Sequence, residues 1–134
     1  IFEIMKFFLQ YSLKNNLKTS IINIGSIVGM TGFSELCGYA STKGALKSLT
    51  QSFAVENARN NVRANMINPG FFKTSYFNKF KKNKKLYNWT ISRIPLKRWG
   101  NPSEICNIVD FLASDKSSYI TGENINVDGG WLNS

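Results

Sequence analysis

The chain has 134 residues, 43% hydrophobic and 19% charged, which suffices for one packed domain and excludes wholesale disorder. It contains no apolar run of about eighteen residues, the length a transmembrane helix needs, and no cleavable leader is apparent. Histidine is absent, which excludes a Ser-His-Asp triad or a His-based zinc site within these residues.

The formal charge of +9 is local. Residues 73 to 98 carry nine basic side chains and no acidic one, while the remainder balances eight of each sign. Such a run is ordinarily a solvated face. Its functional reading is attraction of an anion such as a phosphate-bearing cofactor or substrate. Nucleic-acid binding ranks lower, because no recognisable binding module accompanies the lysines.

Taken in order, residues 1 to 17 predict an amphipathic helix, with Ile1, Ile4, Met5, Phe8, Leu9 and Leu13 as its apolar stripe. A chain that opens inside a helix and without an initiator Met is expected to be the later part of a longer protein. A small protein with an N-terminal helix is the alternative. Ile21, Ile22 and Ile24 suit a buried strand, followed by a turn at Gly25, Ser26 and Gly29. Tyr39 to Asn57 reads as a helix with Ala45, Leu49, Ser52, Phe53 and Glu56 marking its turns. Isolated Gly44 costs helix stability, and close packing is one reason to tolerate it. Cys37 and Cys106 read as ordinary thiols rather than a disulfide framework.

Val62 to Ile67 predicts a second strand, stopped by Asn68-Pro69-Gly70. Phe71 to Trp89 mixes aromatic residues with lysines and predicts one or two short lid helices. Asn101 and Pro102 form a helix start, and Ile105, Val109 and Leu112 give that helix an apolar stripe. Ile125 and Val127 precede Asp128-Gly129-Gly130, a final strand and turn. This order predicts an α/β layer architecture with a largely parallel sheet.

Tyr39 and Lys43 stand one helical turn apart, and Ser26 lies thirteen positions upstream. A phenol has a pKa of about 10, which a neighbouring ammonium lowers. Ser26 then hydrogen-bonds a substrate oxygen while Tyr39 exchanges a proton with it, a carbonyl/alcohol chemistry. Against this, most lone Y-x-x-x-K pairs are helix-surface residues and most serines after strands are turn residues. Spacing alone leaves the reaction undecided.

Several ordered motifs together carry a resemblance. They are I-I-N-I-G-S-I-V-G at 21 to 29, Y-A-S-T-K at 39 to 43, V-R-A-N-M-I-N-P-G-F-F-K-T at 62 to 74, I-P-L-K-R-W-G-N-P-S-E-I at 94 to 105, F-L-A-S-D at 111 to 115 and Y-I-T-G-E-N-I-N-V-D-G-G at 119 to 130. The chain resembles the C-terminal half of a short-chain dehydrogenase/reductase over essentially all its length. The resemblance implies an α/β fold, the C-terminal part of a single Rossmann-like, doubly wound parallel sheet, with the N-terminal nucleotide-binding half missing and a basic substrate loop at about 71 to 98. It implies that Ser26 is the substrate-oxygen donor, Tyr39 the acid/base and a cofactor-binding residue, and Lys43 the residue that binds the nicotinamide ribose and depresses the tyrosine pKa. Asn68 resembles a structural residue beside the cofactor, Pro69, Gly70 and Phe72 the segment whose backbone contacts the nicotinamide, and Thr74 a hydroxyl on the carboxamide or pyrophosphate. Phe72 stands where an aliphatic residue is frequent.

The implied cofactor is NAD or NADP, the choice resting on residues outside the chain. The implied activity is a carbonyl/alcohol oxidoreductase, with 3-oxoacyl-carrier-protein reductase as the leading substrate assignment and a sugar or small-alcohol dehydrogenase as the alternative. A catalytically silent fragment with a binding or structural role is the reading from another class. The implied assembly is a homotetramer, with a homodimer second, in the cytoplasm or an organelle lumen. The family's glycine-rich phosphate turn, its Asn-Asn-Ala-Gly segment and its catalytic Asn are not among these residues, so the segment alone is expected to bind cofactor poorly.

Overall fold

A computed structural model describes all 134 residues. Helix α1 (Phe2–Asn15) leads into strand β1 (Thr19–Ile24) and a 3₁₀ turn at Ile27–Gly29. Helix α2 (Cys37–Asn57), strand β2 (Val62–Pro69), the short helices α3 (Phe77–Lys82) and α4 (Lys84–Arg93), helix α5 (Pro102–Ala113) and strand β3 (Asn124–Val127) follow. The three strands form one parallel sheet in the order β1-β2-β3, with Thr19 opposite Val62 and Met66 opposite Asn124. Parallel neighbours require crossovers, which α2 supplies between β1 and β2, and the lid with α5 between β2 and β3. All three strands therefore point their carboxyl ends at one edge, where ligands gather in open α/β sheets.

α1 ends because Asn16 adopts a left-handed conformation (φ 50°) and the Leu17 N–H closes onto the Ser12 carbonyl. Its inward face differs from the expected stripe. Met5 and Ser12 are buried and Leu9 is half-buried, whereas Ile1, Ile4, Phe8 and Leu13 stay exposed beside Phe7 and Tyr11. β1 also departs from the expected buried strand. It is an edge strand, with Asn23 buried, Ile21 and Ile22 half-buried and Ile24 exposed. The buried strand is β2, which lies between two neighbours and is covered on both faces.

α2 begins two residues before Tyr39 and buries Leu46, Thr50, Phe53, Ala54 and Asn57. Ala45, Ser52 and Glu56, expected to mark its packing turns, face outward. Met5, Phe53, Ala54, Val62 and Ala64 form the core between α1, α2 and the sheet. Beyond the strand ends a second core of Ile27, Ile94, Trp99 and Trp131 gathers Phe33, Phe71, Phe77, Phe80 and Tyr87 under the lid. The lid contains two helices, joined where the Asn83 side chain accepts the Leu86 N–H.

Polar staples lock the return to β3. Arg63 donates to the Leu112, Ser114 and Ile120 carbonyls, placing a cation where α5 exposes its last carbonyls. Asn65, fully buried, donates to the Ile120 carbonyl and accepts the Glu123 N–H, both at 3.0 Å. α5 starts as predicted at Asn101 and Pro102, and the Glu104 carboxylate returns to the Asn101 N–H at 2.7 Å. Cys37 and Cys106 are free and exposed.

Candidate active site

β1 delivers Ser26 to the ligand edge of the sheet. Gly25 makes this possible, because a side chain there would overlap Met66 Cε and Asn68 Oδ1. Ser26 is buried, and its Oγ accepts the Val28 N–H at 3.2 Å, capping the 3₁₀ turn. That bond engages the oxygen as an acceptor and leaves the hydroxyl proton free to donate.

The turn then packs directly on α2. A Cβ at Gly29 would come within 2.8 Å of the Lys43 backbone and Cβ, so only glycine permits this approach. Gly44, expected to matter for close packing, is less constrained, since a Cβ there would meet the Gly29 carbonyl at 3.7 Å. The close contact belongs to Gly29.

Tyr39 projects from the first turn of α2 with 46% of its surface exposed. Lys43 follows one turn later, its Nζ 5.7 Å from the Tyr39 ring centroid. Nζ also donates to the Ile24 carbonyl at 2.8 Å. This bond ties α2 to the end of β1 and leaves ammonium N–H groups available for a second partner. The structure thus joins Ser26 and Lys43 through Ile24 and Gly29, and Tyr39 to Lys43 through the helix.

The next strand ends beside them. Asn68 is fully buried; its Nδ2 donates to Asn126 Oδ1 at 3.0 Å, and its Oδ1 has no partner. Pro69 closes β2, and the Gly70 N–H donates to the Val127 carbonyl at 2.9 Å. A Cβ at Gly70 would lie 2.7 Å from Asp128 Cα, a second place where close approach requires glycine. Phe72 packs its ring on Gly100 and bridges to it, while its own N–H finds no acceptor in the chain. Thr74 is exposed at the lid entrance, where its carbonyl accepts the Phe77 N–H.

Phe71 and Phe72 also line a cleft of about 470 Å³ with Arg98, Glu104 and Asp128. That cleft includes none of Ser26, Tyr39 and Lys43, which form a ledge outside it with Tyr39 exposed, Lys43 half-buried and Ser26 buried. On its rim Arg98 grips Glu104 through two bonds of 2.7 and 2.8 Å. Arg98 and the Asn101 N–H hold the Glu104 carboxyl at about 2, well below its ordinary value.

A family profile described as Enoyl-(Acyl carrier protein) reductase matches residues 1–132. The chain belongs to the short-chain dehydrogenase/reductase family. Within it, this short-chain dehydrogenase/reductase chain is 38% identical over 130 residues to a 3-oxoacyl-[acyl-carrier-protein] reductase of Thermotoga maritima, covering 97% of this chain and 52% of the relative. It is 38% identical over 112 residues to 5-keto-D-gluconate 5-reductase of Escherichia coli, covering 84% and 44%. A 4-hydroxyisoleucine dehydrogenase complexed with NADH superposes with a TM-score of 0.96 at 32% identity, over 99% of this chain and 55% of that one. The chain therefore has the Rossmann-like α/β fold of the family and spans about half the length of these relatives.

Sequence reasoning missed Gly29 as the contact point, Arg63 and Asn65 as staples, and the aromatic core under the lid. Gly29 gave a turn signal only, because close approach is a property of two segments. The tryptophans were legible as apolar residues without any indication that Trp99 and Trp131 meet.

Proposed function

We propose that the protein carrying this chain is an NAD(P)-dependent oxidoreductase that interconverts a carbonyl and an alcohol. The carrying observation is that Lys43, hydrogen-bonded to the Ile24 carbonyl, sits over Tyr39 beside a buried Ser26 whose hydroxyl proton is free. In reduction, Ser26 donates a hydrogen bond to the substrate oxygen and Tyr39 transfers its phenolic proton to it. Lys43 holds an ammonium 5.7 Å from the centroid of that ring. A reduced nicotinamide supplies the hydride when bound.

The residues present suit the nicotinamide end of such a cofactor. Spare ammonium N–H groups of Lys43 suit ribose hydroxyls, and the unpaired Phe72 N–H beyond Pro69 and Gly70 suits a carboxamide oxygen, with Thr74 beside it. The orphan Asn68 Oδ1 is a polar acceptor at the same strand end. A glycine-rich phosphate turn is not among these residues, so these 134 residues form the C-terminal portion of one Rossmann-like domain and turn over little alone.

Reduction of a 3-oxoacyl group on an acidic carrier, a step of fatty-acid biosynthesis in the cytoplasm or an organelle, is supported by the Thermotoga relative and the basic lid. A small keto acid is the second substrate reading, supported by the keto-gluconate reductase relative. A homotetramer is supported by the apolar residues left outward on α1 and α2, among them Phe7, Tyr11 and Val55. The test is oxidation of NADH and NADPH against an acetoacetyl thioester and 5-keto-D-gluconate, by this chain and by a longer chain that adds a nucleotide-binding segment. Activity in the longer chain alone is expected. Failure of both substrate classes there would overturn the reading.

A further inference from the structure

Trp131 sits at the centre of the aromatic core under the lid. Phe33 stacks on it with ring centroids 6.0 Å apart and planes 13° apart, Phe71 lies at 4.8 Å and Trp89 at 5.3 Å. The same core contains Ile27, the neighbour of Ser26, so the wall runs from the candidate proton-transfer ledge to the lid. Arg93, the last residue of α4, rests on that wall. Its guanidinium carbon is 4.6 Å from the Trp131 ring centroid and 5.9 Å from that of Trp89. The Ser134 hydroxyl contacts the carbonyls of both Arg93 and Trp131, at 2.8 and 2.9 Å, holding the two residues in register.

No carboxylate forms an ion pair with this cation. The single ion pair joins Arg98 to Glu104, and residues 73 to 98 contain no acidic side chain. A guanidinium stacked on an indole keeps its donors in one plane directed past the ring, a fork that matches a carboxylate. The lid lysines differ. Lys79 and Lys81 lie 5.5 and 5.7 Å over Tyr76 and Phe77 rather than over an indole, and offer hydrated point charges without a fixed fork.

We propose that Arg93 is an anion-recognition residue of the substrate site, binding the carboxylate of a keto or hydroxy acid whose reacting oxygen lies toward Ser26 and Tyr39. The direction of that substrate rests on the carbonyl/alcohol reading above, and the assignment favours a small acid over a carrier-bound thioester. Trp131 and Trp89 make it measurable without turnover, because a bound anion changes the charge seated on their rings.

The experiment titrates the 134-residue chain with succinate while following tryptophan emission, with succinamide as the neutral counterpart. A saturable change with succinate and none with succinamide is expected. Arg93→Met should weaken half-saturation by about tenfold or more, as loss of a charged hydrogen-bonding partner implies, and Arg93→Lys by less. Circular dichroism establishes that each variant is folded, and Arg93→Lys keeps the charge should Arg93→Met unfold. No succinate response, an equal response to succinamide, or unchanged half-saturation in folded Arg93→Met would overturn the proposal. An anion response accompanied by no carbonyl reduction in the longer chain upholds Arg93 as an anion site and removes the oxidoreductase reading. Reduction without an anion response does the reverse.

Discussion

Gly29 and Lys43 touch through their backbones, so closely that no side chain fits between the Ser26 turn and the helix carrying Tyr39. Gly29→Ala is therefore expected to destabilise the chain by about 1–3 kcal/mol, the usual range for overpacking. Gly44→Ala, which meets only ordinary contact, is expected to stabilise it by up to about 1 kcal/mol through better helix propensity. Urea unfolding of the two variants separates them, and equal losses would contradict the assigned contact.

Tyr39→Phe keeps the ring that Lys43 faces and removes the proton. In the longer enzyme it is expected to lower turnover by about 10²–10⁴-fold, the usual contribution of a positioned acid/base. Nicotinamide affinity, read by fluorescence titration, is expected to hold. Turnover at the unsubstituted level would remove Tyr39 from its role.

Asn65 satisfies two backbone groups of the segment that leads into β3, from a position without solvent access. Asn65→Ala leaves the Glu123 N–H without a partner and the Ile120 carbonyl with Arg63 alone, and is expected to cost about 1–3 kcal/mol. Thermal unfolding reads the loss. A shift within error would mean that water replaces the amide.

Glu104 has a folded-state value of about 2 against an ordinary value of 4.5, because Arg98 and the Asn101 N–H hold its charged form. Its contribution is present in full above the ordinary value and is lost as pH falls from there through about 2. Glu104→Gln should therefore differ from the parent chain near neutrality and converge with it on acidification. The pair is at the surface, so the gap is small and narrows in salt. A gap that widens towards low pH in matched unfolding curves would refute this account.

The order of helices and strands was legible because each carries a local signal. β2 reads as an apolar run, α5 as Asn101-Pro102, and the final turn as Asp128-Gly129-Gly130, whose glycines adopt φ of 66° and 91°. The pairing of Tyr39 with Lys43 was legible too, since helical spacing places them together whatever surrounds them. Burial was not. Ile24 and Ile4 have the composition of core residues, yet their exposure depends on which neighbours occupy the edge of the sheet. The contact of Gly29 with Lys43 and the seat of Arg93 on Trp131 likewise join segments distant in sequence, which periodicity cannot relate.

The free side of β1 bears on how these residues associate. One side of this strand pairs with β2, and the other presents a row of amide and carbonyl groups flanked by exposed Ile1, Ile4 and Phe8. An uncovered edge of that kind is a template on which any extended polypeptide, including another copy, adds as the next strand. Whatever covers that edge decides whether these residues stay dispersed or add to one another strand by strand.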